Sequence, residues 1–130
     1  MAATRITPPG GVPLSNWARA GDLIFVSGLV PVDSEGKLVG DDVATQTRRC
    51  FERIEESLAE AGATLNDIAK ATVYLAHAQR DFAEMNQVYR EAFSAPYPAR
   101  STVGVELAAP GLLVEIEAYA WVAGGSRSDR

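Results

Sequence analysis

Leu113-Val114-Glu115-Ile116-Glu117-Ala118-Tyr119-Ala120-Trp121-Val122 has a side-chain period of two. Ile116, Ala118 and Ala120 fall on one side of an extended chain, and Tyr119 and Trp121 fall on the other, after two glutamates. Such alternation is the mark of a β-strand. Both of its sides are apolar over part of their length, which is unusual for a strand with one face in water. Leu23-Ile24-Phe25-Val26-Ser27 repeats the feature: Leu23, Phe25 and Val30 oppose Ile24, Val26 and Leu29. Helices packed on one face of a sheet leave the other face bare. Exposed apolar area beyond a few hundred Å² marks an interface, so these strands predict self-association.

Outward from the last strand, the turn Ala109-Pro110-Gly111 leads back to a strand over residues 100–107, preceded by Tyr97-Pro98. Before it, Phe82, Met85, Tyr89 and Phe93 are spaced as one side of a helix over residues 81–93. A strand over residues 68–76 places Ala71, Val73 and Leu75 on one face. A first helix over residues 42–61 carries the stripe Val43, Thr47, Cys50, Phe51, Ile54, Leu58 and Ala61, with Asp41 or Asp42 to cap it and Gly62 to end it. Asp33-Ser34-Glu35-Gly36-Lys37 reads as a turn, and the strand from Leu23 stops at Gly28. Pro8-Pro9-Gly10-Gly11 and Pro13 punctuate the start, so Ile6 belongs at most to a short strand. The order is strands, helix, strand, helix, two strands: an α+β domain over residues 1–123, with residues 124–130 as a small, polar, flexible tail.

The 130 residues suit one domain, and 47% hydrophobic with 22% charged residues is the composition of a globular chain. A net charge of −5 argues against nucleic acid as a partner. The apolar run from Leu23 to Val26, four residues, is far short of the ~20 that cross a membrane. With no secretory leader in Met1-Ala2-Ala3-Thr4-Arg5-Ile6, a cytoplasmic location is expected. One cysteine and one histidine leave no disulfide and too few soft ligands for zinc. Cys50 lies on the inward stripe of the first helix and reads as a core residue. His77 reads as a loop residue at the end of a strand. The charges Arg48, Arg49, Glu52, Arg53, Glu55 and Glu56 read as a solvated helix face.

The chemically informative pieces are Tyr97-Pro98-Ala99-Arg100-Ser101-Thr102-Val103 and the glutamate-bearing strand above. Proline holds Tyr97 extended and fixes the approach to the strand that Arg100 opens. A guanidinium matches a carboxylate in two parallel hydrogen bonds. Arg100 opposite Glu115 and Glu117 is therefore either a structural ion pair or a ligand site in an apolar wall.

Pro98-Ala99-Arg100-Ser101 with Val103, and Val114-Glu115-Ile116-Glu117-Ala118, resemble the signature of the RidA (YjgF) family. Arg19-Ala20-Gly21-Asp22-Leu23-Ile24-Phe25-Val26-Ser27-Gly28 and Asp81-Phe82-Ala83 with Asn86 and Tyr89 extend the resemblance over residues 4–123. It implies a chorismate-mutase-like fold, a mixed sheet with two helices on one face, assembled as a homotrimer around a central barrel with clefts between subunits. It implies a cofactor-independent deaminase that hydrolyses reactive enamines and imines of the 2-aminoacrylate type to 2-keto acids and ammonia. Arg100 matches the residue that grips the substrate carboxylate, and Glu115 the acid that holds or activates water. Ser27, Asn86, Tyr97, Thr102 and Leu14 match the substrate-binding positions, Thr102 through its backbone. The chain departs from the archetype at Leu14, where tyrosine is frequent, at Thr102, where cysteine stands, and at Leu29, where glutamine is common. Those changes leave a non-catalytic trimer that binds small carboxylates, regulating a partner enzyme, as the alternative.

Overall fold

Asp42 begins the first helix as the sequence predicts: its carboxylate accepts a hydrogen bond from the Thr45 amide at 2.7 Å. From there α1 (Val43–Glu60) buries Val43, Thr47, Cys50, Phe51, Ile54 and Leu58. At its far end Gly62, with φ +87°, turns the chain out. The Gly62 and Ala63 amides then donate to the carbonyls of Ala59 and Leu58. The computed structural model describes residues 3–6 and 11–123. The punctuation expected at Pro8-Pro9-Gly10 and the tail expected over residues 124–130 lie outside the described residues.

Six strands form one sheet: β1 (Thr4–Ile6), β2 (Trp17–Ala20), β3 (Leu23–Leu29), β4 (Ile68–Leu75), β5 (Ala99–Gly104) and β6 (Val114–Trp121), in the order β1-β2-β3-β6-β4-β5. Only β4 and β5 run parallel, joined by α2 (Ala78–Ala92); the other pairs are antiparallel. Both helices lie on one face of the sheet. There Phe51 of α1 meets Tyr89 of α2 and Phe93 edge-on, at ring centroids of 5.6 and 5.5 Å. Ile24, Val26, Leu29, Val73, Leu75, Val114, Ile116, Ala118 and Ala120 point into this core. Gln46 is buried among them, and its amide donates to the Gly40 and Gly111 carbonyls while accepting from the Leu113 amide. That clamp sets where β6 begins.

The opposite face is bare. Leu23, Phe25, Tyr119 and Trp121 are 45, 41, 40 and 53% exposed, which bears out the two-sided strands of the sequence. Among the described residues no helix is long and apolar enough to cross a membrane.

The structure corrects several expectations. Residues 100–107 and 113–122 are not sheet neighbours, because β4 lies between β5 and β6. β5 ends at Gly104, opposite Leu75, where its only ladder partner also ends. The hairpin strand β2 was not anticipated: Trp17-Ala18-Arg19-Ala20 is short and half alanine, and its pairing comes from the turn at Gly21, whose φ is +60°. β3 runs through Gly28 to Leu29, with a register shift against β6 between Val26 and Leu29. α2 starts at Ala78, and its buried stripe is Asp81, Met85, Val88 and Tyr89, leaving Phe82 45% exposed. Asp81 tolerates burial because the Arg80 guanidinium donates to both of its oxygens at 2.9 Å. The α1 charges are not all solvated: Arg49 and Arg53 donate to the carbonyls of Val32 and Val30.

Candidate active site

Arg100 and Thr102 lie beside Ala71 and Val73 of β4, whose side chains are buried under the helices, so both project from the helix-bearing face. β5 is the edge strand, and there the Arg100 guanidinium rests on α2. Its central carbon is 4.7 Å from the centroid of the Tyr89 ring and 5.7 Å from that of Phe82. Cation–π contact uses the flat face of the guanidinium and leaves its N–H edge free. Among the described residues that edge has neither an ion pair nor a hydrogen bond. Asn86, Tyr89, Arg90, Tyr97, Pro98 and Arg100 line a cavity of about 250 Å³ here. Burial raises the Tyr89 phenol above its usual range against the opposing pull of Arg100. Its hydroxyl and Asn86 Oδ1 are buried without a hydrogen-bond partner.

Glu115 stands on the other side. It alternates with buried Val114 and Ile116 and lies opposite Tyr74, so it projects from the bare face, together with Glu117 and Tyr119. The intrachain Arg100–Glu115 pair that the sequence left open is therefore absent, and Glu117 instead accepts a hydrogen bond from the Tyr74 hydroxyl at 3.0 Å. Burial, then the charge of Glu117, raises the Glu115 carboxyl above the usual carboxylate range. Gly28 makes the room: a Cβ built there would collide with Glu115 Oε2. The register shift around Ser27 and Gly28 brings the glycine against the carboxylate, the re-aiming for which strand irregularities serve.

Leu14 and Ser27 line a groove of about 830 Å³ on this bare side, with Phe25, Glu117 and Tyr119. The Ser27 hydroxyl donates to the Ser15 carbonyl, so toward a ligand it can only accept. The candidate residues thus form two half-sites: Arg100, Asn86, Tyr97 and Thr102 with the helices, and Glu115, Ser27 and Leu14 on the bare face. Tyr89, Phe82 and Gly28 stood in the sequence as parts of a helix stripe, a strand end and the family resemblance, and were not assigned to the site. The seven-residue spacing from Phe82 to Tyr89, two turns of one helix, was the available signal for the rings. Cys50 is buried, its thiol pushed up to about 12 by burial, which fits a core role. His77 precedes α2 and is exposed. Among the described residues no group of side chains could hold a metal ion.

The chain is similar to known proteins in sequence and in fold. Residues 6–122 match the family model described as endoribonuclease L-PSP. A RutC family protein of Pyrococcus abyssi is 46% identical over 110 residues, covering 84% of this chain and 86% of that protein. A protein of Acinetobacter baylyi named 3-aminoacrylate deaminase RutC is 38% identical over 120 residues, covering 89% and 92%. Among solved structures, a YjgF family member from Mycobacterium tuberculosis superimposes with a TM-score of 0.82 at 38% identity, covering 93% of this chain and 100% of that one. RidA from an Antarctic Psychrobacter gives a TM-score of 0.81 at 33% identity, covering 88% and 93%.

Proposed function

Because the chain belongs to the endoribonuclease L-PSP family, whose solved members include proteins called YjgF and RidA, we propose that it is an enamine and imine deaminase working in clefts between subunits. The observation that carries this reading is the placement of Arg100 and Glu115 on opposite faces of one sheet. Among the described residues no cavity of a single chain is lined by both. Burying the bare face of one subunit against the β5 edge of the next would bring one chain's Arg100 to another's Glu115. A homotrimer closes such heterologous contacts without free ends.

In that cleft the free fork of Arg100 takes the substrate carboxylate in two hydrogen bonds. The imine carbon then lies beside a water held by Glu115. Water adds to the C=N carbon and gives up a proton to Glu115. Glu115 returns that proton to the imine nitrogen to give the carbinolamine; the hydroxyl proton then passes through Glu115 to the same nitrogen as the C–N bond breaks, and a 2-keto acid and ammonia leave. A carboxyl with a raised pKa suits both halves of this transfer, which is typically worth ~10²–10⁴-fold. The chemistry calls for no cofactor. The name of the Acinetobacter relative supports the reaction class. Ribonuclease activity, suggested by the family description, has less support in a chain of net charge −5.

The test is subunit complementation. The imine of a small amino acid is generated in situ and its decay followed with wild type, Arg100→Ala, Glu115→Gln, and an equal mixture of the two variants reassembled from unfolded chains. Each variant alone is expected to lose activity by ~10²-fold or more. The reassembled mixture should recover about a quarter of wild-type activity, since one cleft in four receives both intact residues in a closed ring. Two dead variants that do not rescue each other would sink the shared cleft. An inert wild type that binds 2-keto acids would leave the carboxylate-binding protein in its place.

A further inference from the structure

We propose that the Arg100 cavity recognises a second carboxylate through Arg90, so that the preferred substrates are dicarboxylic imino acids. This rests on the deaminase reading and narrows its substrate class.

The argument begins with the accounting of arginines. Arg19, Arg48, Arg49, Arg53 and Arg80 each donate to a named carbonyl or carboxylate. Arg5, Arg90 and Arg100 do not, among the described residues; Arg5 lines the groove on the bare side, whereas Arg90 and Arg100 line the same cavity of about 250 Å³. Its other lining residues are Asn86, Tyr89, Tyr97 and Pro98, so two cations converge on a space with no acid in its wall. In a chain with 17 acidic and 12 basic residues, an acid-free wall holding two guanidiniums calls for an anionic ligand. The sequence neighbour of Arg90, Glu91, is held by Arg48 through two hydrogen bonds of 3.1 Å.

Arg90 stands one turn beyond Asn86 on α2, on the stripe that faces the cavity. Its place in the last turn also favours the helix dipole, but a cation anywhere around that turn would do so. With Arg100 fixed on the Tyr89 and Phe82 rings for the carboxylate next to the imine, Arg90 is left for one at the far end of the substrate. A cavity of about 250 Å³, against roughly 30 Å³ for each water displaced, suits a diacid of four or five carbons.

Product analogues test this without the reactive imine. Binding of 2-oxoglutarate and 2-oxobutanoate to the assembled protein is measured by calorimetry, for wild type and Arg90→Gln, at low and high salt. Wild type should hold the diacid about two- to fivefold tighter, the range expected of an exposed or half-exposed charge pair. That advantage should shrink in salt and vanish in Arg90→Gln, with 2-oxobutanoate binding weakened much less than 2-oxoglutarate binding. Arg90 is exposed, so the variant is expected to fold, and its thermal melt checks that. Equal affinity for the two acids, or an Arg90→Gln effect that is the same for both, overturns the diacid proposal while the deaminase reading stands. If wild type binds neither acid, both fall together.

Discussion

The two faces of β6 are a controlled comparison within one strand. Its even residues, Val114, Ile116, Ala118 and Ala120, are buried under the helices, while Glu115, Glu117, Tyr119 and Trp121 look out from the bare side. The first face is finished within one chain. The second carries a glutamate whose ionisation burial already penalises, a tyrosine–glutamate hydrogen bond and two large aromatics half in water. One face therefore answers to folding and the other, on the proposed function, to assembly and chemistry, and substitutions on the two should fail in different assays.

The largest contrast is expected from truncation. Ile116→Ala empties a fully buried position and should cost about 3 kcal/mol in a denaturant titration. Trp121→Ala, five residues along the same strand, should leave the stability of the isolated chain within about 1 kcal/mol. Its effect should appear in sedimentation, as weaker self-association. If Trp121→Ala unfolds the chain and leaves assembly intact, the division between the faces is wrong.

Next comes Gly28→Ala. The added methyl meets the end of the flexible Glu115 side chain, which can swing aside, so the melt should move little. The carboxylate would then leave its place, and kcat/KM for imine hydrolysis should fall by ~10²-fold. Loss of stability without loss of activity would mean that Gly28 serves the fold alone.

A smaller effect probes the helix-bearing side. Tyr89→Phe keeps the ring under Arg100 and removes a hydroxyl buried without a partner, which should raise stability by about 1 kcal/mol and leave carboxylate affinity unchanged. Tyr89→Leu, which removes the ring, should weaken that affinity about fivefold. Equal affinity in the two variants would show that the ring does not hold the guanidinium.

How much of this was legible in the sequence follows the same division. Periods of two and 3.6 revealed β6, α1 and the apolar second face of the sheet, because local burial dictates those patterns. Arg100 and Glu115 were legible as chemistry, but their placement on opposite faces was not. That depends on β4, distant in sequence, inserting between their strands. The Gly28 register shift and the Arg100 cradle were hidden for the same reason: each is a contact between elements, and periodicity within one element carries no trace of it. Phe82 illustrates the cost, since its helical spacing assigned it to the core while the sheet edge left it beside Arg100.

The smallest effect expected is a displaced pH profile, and its sign is fixed by the pair of glutamates. Burial, then Glu117, raises the Glu115 carboxyl. A carboxyl whose folded pKa lies above its unfolded value favours the fold while protonated, and that contribution is lost as pH rises from the unfolded pKa through the folded one. Glu117→Gln removes the neighbouring charge but keeps an acceptor for the Tyr74 hydroxyl. The Glu115 carboxyl should then titrate lower. The acid limb of kcat/KM, followed from pH 4 to 8, should move toward lower pH, and the loss of stability with rising pH should begin at the same pH, end earlier and be smaller. Burial still raises the carboxyl in that variant, so the limb should stay above the pH at which an exposed glutamate titrates. An acid limb that does not respond to Glu117→Gln would show that the group titrating in catalysis is not Glu115, and the chemistry would have to be sought on the helix-bearing side.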